Sequence, residues 1–489
     1  MSHPRACRTD AGLRPDPARV IARLYLPGEE LPQAPSRVAA VVDRVLALDE
    51  AEINRLAKRL RAEFSCRHRD YEALIARHAS VVSTHVGDAA LSPARQLVLG
   101  ATFTAEYAVE GAALCNPSAV PHPDQSGVAD GQLRVAVSLR GIGEGHVSTI
   151  GFCDAVVGPG ASWTFEDRPL PAVAGVSAPS YWRREHLHAV LADQRKIGGL
   201  ISAVLGALPA QFHAVDLEQA LQDAHPDLLT GPGGRGAAEL MRAVVHSTYE
   251  VQFPGDVGIA QQVLMPGAPE ERNGVEDARF TRFLDDNGAV EYRATYTAYD
   301  GRRITPRLLT SPDLRSFRAH RLAGPAARNK GMALFPRAVG GRQLALCRSD
   351  GERTSLTSSA DGLVWEKPRS LQAPGASWEL LQVGNCGPPI ETDRGWLVLT
   401  HGVGPMRTYA IGALLLDLDE PARVIGRLVT PLLEPGPQET EGYVPNVVYS
   451  CGGLVHDGLL WIPYGIGDAR ISVAWTPLAE LLDHLTSVR

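Results

Sequence analysis

Two hydrophobic rhythms divide this chain. Between Pro35 and about Leu114, apolar residues recur at three- and four-residue steps: Val38, Val41, Val42, Val45 and Leu46, then Leu56, Leu60 and Phe64. This spacing gathers them on one face of a helix, and Asp49 three residues before Glu52 offers a capping box for the second helix. A second helical block runs from about Trp182 to His246, through HLHAVLADQRKIGGLISAVLGAL, DLEQALQDA and GAAELMRAVVHS. The glycines of TGPGGRG mark a loop within it. PLAELLDHLTSVR predicts a short amphipathic helix after a proline start. Residues 1–35, rich in Pro and Arg, are expected to be irregular.

Elsewhere the period is two. Five times a glycine-bearing turn launches an apolar run that stops on a polar side chain. The runs are GQLRVAVSLR ending at Arg140, GAVEYRATYTAYD at Asp300, GRQLALCR at Arg348, GWLVLTH at His401 and GLLWIPYGIGD at Asp468. The last four begin roughly 50–65 residues apart, a spacing in the range of propeller blades. Radial sheets bring equivalent strand ends to one shared place, so these five ends would line a polar site. A second repeat agrees with this: SPDLRSF at Ser311–Phe317 and SADGLVW at Ser359–Trp365 share Ser, Asp and a bulky aromatic at identical spacing. In a blade the Asp would close a tight turn and the ring would pin it.

The expected fold is therefore mainly β, a five-bladed β-propeller with an N-terminal helical unit and a helical insertion. The boundaries are residues 1–114 for the helical extension, 115–476 for the propeller with its insertion at about 182–246, and 477–489 for the terminal helix.

Composition narrows the function. With 489 residues the chain exceeds one ordinary compact core. Its 44% apolar and 21% charged residues are those of a soluble globular protein. A net charge of −7 without any Lys/Arg block gives no basic face for nucleic acid or anionic membrane. The N-terminus lacks the apolar core of a signal peptide, and no run approaches a membrane span. Seven scattered cysteines without a CxxC pair argue against a disulfide framework or zinc ribbon. The expected setting is cytoplasmic.

The densest chemistry is GVEDARF, Gly274–Phe280. In an extended strand Glu276 and Asp277 would face opposite sides, and Arg279 would share the side of Asp277 and could set its pKa. A surface salt bridge is the plainer alternative. GIGEGH, after the first run, resembles a phosphate loop but lacks the following helix that a dinucleotide fingerprint needs. Glu144 and His146 within it read either as loop residues or as contacts to a leaving sugar. His186 and His188, two apart on a helix, diverge and make a poor metal pair.

Taken in order, NPSAV at Asn116, SLR at Arg140, VEDAR, YTAYDG, NKGMALFPR, HGV at His401, LLLDLDEP, EGYVPNVVY and YGIGD resemble glycoside hydrolase family 130, whose members are mannoside phosphorylases and β-mannosidases. Ala278 stands where that family commonly has Pro. The resemblance implies that Asp277 is the proton donor, acting on the glycosidic oxygen through a sugar hydroxyl. It implies that Arg140 and Asp468 hold the mannosyl unit, and that Lys330, Arg348 and His401 bind phosphate, with Tyr409 as a further donor. Asn116, Glu276, Arg279, Tyr299, Asp300 and Glu441 complete the substrate-binding expectation, with Asn116 equally readable as a turn-former and Asp300 more readily as part of a blade turn or the pocket wall. Trp378 is an aromatic candidate better explained by burial.

The favoured expectation is inverting phosphorolysis of a β-mannoside to α-mannose 1-phosphate, with inorganic phosphate as co-substrate and no other cofactor or metal. Partners are small molecules, with no nucleic acid or membrane, and the extra helices leave a homo-oligomer open. Asp350, Glu352 or Glu441 could instead serve as base for water, which would make the protein an inverting β-mannosidase. A catalytically silent sugar-binding propeller is the third reading.

Overall fold

The computed structural model describes residues 3–28, 37–87, 90–194, 198–231 and 233–487. They form two compact units, one of Met1–Pro15, Ala112–Arg168 and Gly175–Arg489, the other of Asp16–Gly111 and Pro169–Ala174.

The larger unit is mainly β. Among the described residues, five larger open antiparallel sheets follow the chain in turn, beside a two-stranded one of Trp182–Arg183 and Gln211–Phe212. The first is built on Ala113–Pro121, Leu133–Ile142 and Ser148–Gly158. The second runs through Val275–Leu284, Val290–Tyr299, Ile304–Ser311 and Ser316–Arg321. The third holds Ala333–Leu334, Gln343–Cys347, Thr354–Ser359 and Arg369–Gln372. The fourth holds Gln382–Asn385, Gly395–Val403, Tyr409–Leu416 and Val424–Arg427. The fifth combines Val448–Tyr449, Leu459–Ile466 and Arg470–Pro477 with a strand from the opposite end of the chain, Cys7–Leu13.

Apolar faces of successive sheets share cores, because a strand buried on both faces must cover both with apolar partners. Phe152 of the first sheet meets Phe280 and Phe317 of the second. Leu308 packs with Leu334 and Ala345, and Phe335 with Trp396 and Val398. Leu399 and Ile411 pack with Leu460 and Ile462, and Trp461 returns to Leu114 and Val137 of the first sheet.

The repeated turns form alike. Ser311 Oγ accepts from Leu314 N–H at 2.8 Å and Asp313 Oδ1 from Arg315 and Ser316 N–H at 2.8 Å each. Ser359 and Asp361 do the same for Gly362, Leu363 and Val364 at 2.9 Å. Phe317 and Trp365 are buried behind them. A third recurrence escaped the sequence reading. Glu271, Glu379 and Glu439 each turn back to accept loop N–H groups, from Gly267 and Ala268, Gly375 and Ala376, and Gly436.

Within the segment expected to be irregular, residues 3–28 contain two strands. Cys7–Leu13 pairs with Arg470–Pro477, and Val20–Leu24 pairs with Thr104–Ala108; residues 29–36 lie outside the described residues. Strand geometry overrides the local Pro and Arg content here because the partner supplies the hydrogen bonds, and Arg8 adds an ion pair to Glu439 at 2.6 Å.

In the smaller unit, Arg37–Leu46, Glu50–Phe64, Tyr71–Val81 and Pro93–Thr102 are helices around Val42, Ile53, Ile75, Leu99 and Phe103. Asp49 caps the second of them through Glu52 N–H at 2.7 Å. The helical block of the larger unit, from Arg184–Asp193 to Gly234–Val245, encloses its own core of Leu187, Leu191, Ile201, Leu217 and Met241. Arg195, Lys196 and Ile197 of the helical run, and Pro232 of the TGPGGRG loop, lie outside the described residues.

Candidate active site

Two β-bulges make the site. In the first sheet the register slips between Cys115 and Ser118, with Asn116 at φ 51°. In the second it slips between Glu276 and Arg279, with Asp277 at φ 56°. Asn and Asp tolerate this left-handed region better than other side chains; it still costs on the order of 1–3 kcal/mol, a strain that collects at functional sites. The two strands are tied where Ser118 Oγ accepts from Phe280 N–H at 3.1 Å. The bulges thus face each other, and Asn116 Nδ2 donates to Asp277 Oδ1 at 2.5 Å.

The Asp277 bulge overturns the expectation that the paired carboxylates diverge. Arg140 reaches both, donating to Glu276 Oε1 at 2.7 Å and Asp277 Oδ1 at 3.2 Å. The inserted residue rotates Asp277 onto the side of Glu276. Arg279 in turn does not touch the Asp277 carboxylate. It donates to the Asp277 backbone carbonyl at 3.2 Å and to Tyr449 Oη at 2.7 Å. Lys330 Nζ pairs with the other oxygen of Glu276.

Electrostatics follow from this crowding. Burial pushes the Asp277 carboxyl up, but Arg140, Lys330, Arg279 and the Asn116 hydrogen bond outweigh it and hold the group below the usual carboxylate range. Asp468, in the left-handed turn after Leu459–Ile466, goes the other way: burial lifts it to about 6 despite Arg140, with the Asp277 charge adding to the rise.

Near enough to feel the Asp277 charge stands a second cluster. Arg348 Nη1 lies 3.1 Å from His401 Nε2, and His401 Nδ1 lies 3.1 Å from the Asn385 carbonyl. Guanidinium can only donate, so Nε2 is the acceptor and the ring proton sits on Nδ1. Burial, Arg348 and Arg279 all press the His401 pKa well below its ordinary value, so the ring is neutral. His401 is therefore not one of the cations of the expected cradle. It is the neutral support of one. The ring fits because its strand partner is Gly384, where a Cβ would come within 2.5 Å of it. Tyr409 stacks on the ring at 6.0 Å and Tyr449 meets it edge-on at 4.9 Å.

Among the described residues no carboxylate forms an ion pair with Arg348 or Arg279. Asp350, a candidate base for water, accepts from Glu352 and Arg353 N–H in its own turn, and the Glu352 residue is exposed. Asp300 likewise accepts from Arg302 and Arg303 N–H at 2.8 and 2.6 Å, and Tyr299 Oη donates to the Gly301 carbonyl at 2.9 Å. Both belong to their own hairpin, and among the described residues no hydrogen bond joins them to the cluster. Glu441 is exposed. Trp378 packs under the fourth sheet and donates to the Val429 carbonyl at 3.1 Å. Sequence reasoning missed Tyr449 and Asn385 as site residues, although Tyr449 closes the EGYVPNVVY motif. A groove of about 720 Å³ along the N-terminal strand, lined by Arg8–Arg14 and Gly436–Glu439, shares none of these residues.

Asp277 and Glu276 thus share a cluster with the Arg140 guanidinium and the Lys330 ammonium on a mainly-β scaffold. Comparison with known proteins identifies the chain's relatives. The family model described as beta-1,4-mannooligosaccharide phosphorylase matches residues 257–487. The chain is 35% identical over 218 residues to a beta-1,2-mannobiose phosphorylase of Thermoanaerobacter sp. (strain X514), covering 43% of this chain and 70% of that one. It is 34% identical over 171 residues to a beta-1,4-mannooligosaccharide phosphorylase of Ruminococcus albus, covering 32% and 51%. A solved beta-1,2-mannobiose phosphorylase from Listeria innocua overlays 78% of this chain and 93% of its own, at 21% identity and a TM-score of 0.45. The chain belongs to glycoside hydrolase family 130.

Proposed function

We propose that this protein is an inverting β-mannoside phosphorylase that releases α-mannose 1-phosphate, and that its five sheets are the blades of a propeller around the site. The shared cores between successive sheets, and between the fifth and the first, favour the ring. The observation that carries the activity is a pair of cations, Arg279 buried and Arg348 half-buried, neither of which forms an ion pair with a carboxylate among the described residues. Desolvating a fully buried guanidinium such as that of Arg279 costs several kcal/mol, and a bound dianion nearby would offset part of that cost. Arg348, propped by His401, and Lys330 would cradle phosphate; Tyr409 could add a hydroxyl; Arg279 would act through its field.

In the proposed step a phosphate oxygen bonds to the anomeric carbon from the face opposite the leaving sugar. The bond to the glycosidic oxygen breaks, and that oxygen takes the Asp277 proton through a sugar hydroxyl. Hydrogen phosphate sheds its own proton as the new bond forms, which restores Asp277. In the free protein Asp277 is ionised. A dianion beside Lys330 and Arg279 would offset their charges and let the carboxyl hold its proton when it is needed. Arg140, Asp468 and Asn116 would fix the mannosyl hydroxyls.

The test is incubation with β-1,2- and β-1,4-mannobiose, with and without phosphate, following α-mannose 1-phosphate by phosphorus NMR. Phosphate-dependent appearance of the ester is expected. Free mannose formed equally fast without phosphate would sink the assignment in favour of a hydrolase.

A further inference from the structure

Two hairpin tips stand beyond the cluster with the same unusual backbone. After Arg140 the strand Leu133–Ile142 runs two residues further and turns through Glu144–His146, where Gly145 and His146 have φ of 65° and 60°. After His401 the strand Gly395–Val403 turns through Pro405–Arg407, where Met406 and Arg407 have φ of 55° each. The closing bonds match: Gly143 N–H to the Val147 carbonyl at 3.1 Å, and Gly404 N–H to the Thr408 carbonyl at 3.0 Å. His146 and Arg407 therefore hold equivalent places on two sheets, each just past a residue of the cluster.

A third element joins them. Val444 N–H donates to the Gly467 carbonyl at 2.8 Å, which seats the Gly442–Val444 segment against the turn carrying Asp468. Tyr443, between those two residues, bonds its hydroxyl to His146 Nδ1 at 2.8 Å, with the rings 5.9 Å apart. It remains 46% exposed. The Arg407 charge lies close enough to lower Asp468. Nothing in the mechanism above uses Tyr443, His146 or Arg407, and an exposed aromatic ring braced by a hydrogen bond beside charged donors is suited to a pyranose.

We propose that Tyr443, braced by His146, and Arg407 form the binding edge for the departing sugar, the ring packing on its C–H face and the guanidinium donating to its hydroxyls. This rests on the mannoside-cleaving reading of the site and deepens it. The deeper residues hold the mannosyl unit that is transferred, and the rim chooses the acceptor.

The test is calorimetric titration of mannose, β-1,2-mannobiose and β-1,4-mannobiose into Asp277→Asn protein, with and without Tyr443→Ala, Tyr443→Phe or Arg407→Ala. Tyr443→Ala and Arg407→Ala are expected to weaken a mannobiose about tenfold and mannose less than twofold, with Tyr443→Phe keeping most of the affinity. Equal losses for mannose and mannobiose, or none for mannobiose, would overturn the rim assignment. If no mannobiose binds even with the rim intact, the mannoside reading itself fails, and the rim with it. Phosphate dependence of the wild type is read separately and does not enter this comparison.

Discussion

Arg348 donates to Nε2 of His401 across 3.1 Å, and the same ring donates its Nδ1–H to the Asn385 carbonyl, also at 3.1 Å. A neutral imidazole can be buried beside two guanidinium groups, where a charged one would be expelled. The ring fixes Arg348 without competing with it for an anion.

Replacing that support should loosen the cation and spare the sugar. His401→Ala is expected to raise the KM for phosphate about 10–100-fold, the value of one charge-assisted hydrogen bond, with the KM for mannoside within about twofold. Initial rates at varied phosphate and at varied mannobiose separate the two. The folded-state pKa of His401 is depressed, so its neutral form persists as pH falls and the wild-type phosphate KM should show no histidine step between about pH 5 and 8. Such a step, shifted by His401→Gln, would contradict the neutral ring.

Asp277→Asn keeps the size of the side chain and loses the proton. Turnover should fall on the order of 10²–10⁴-fold while mannobiose still binds. Turnover near the wild-type rate would remove Asp277 from the acid role.

Asp468 makes a stability prediction with a defined sign. Its folded pKa, about 6, lies above the ordinary 3.8. The folded protein therefore holds this proton more tightly than the unfolded chain. The stabilisation is complete below about pH 4 and is lost as pH rises through 6. Asp468→Asn should be more stable than wild type at pH 7.5, by on the order of 1–2 kcal/mol after allowance for solvent, and should lose that advantage at pH 4. Urea unfolding at the two pH values reads the difference, and equal stabilities at pH 7.5 would show that the carboxylate is not strained. The same variant should lose mannoside affinity.

Tyr449→Phe removes the hydroxyl that accepts from Arg279 at 2.7 Å. A buried guanidinium left short of one partner costs about 1–3 kcal/mol, measurable as a lower urea midpoint. Added phosphate should recover part of that loss if an anion occupies the cradle.

Much of this architecture is legible in the residues. Alternation set the strands Leu133–Ile142, Gln343–Cys347, Gly395–Val403 and Leu459–Ile466, which carry or adjoin Arg140, Arg348, His401 and Asp468, although the first and third run two residues past Arg140 and His401. The three- and four-residue steps set the helices Arg37–Leu46 and Glu50–Phe64. The Ser–Asp–aromatic turns formed as their spacing required. These features are local: a period or a turn contains its own physical cause within a few residues. The strand Cys7–Leu13 was illegible because its pairing partner lies more than 450 residues away in the chain, at Ala474 and Trp475.

The site divides the same way. Sequence by itself determined which chemical groups are available: the carboxyl of Asp277, the cations of Arg140, Lys330 and Arg348, and the strand ends that carry several of them. It could not determine which way they face. Left-handed bulges at Asn116 and Asp277 turn Glu276 and Asp277 onto one guanidinium, the hairpin turn keeps Asp300 for itself, and burial between Arg348 and Arg279 strips His401 of charge. Each outcome depends on backbone rotation or desolvation imposed by distant neighbours, and only the tertiary structure brings those neighbours together.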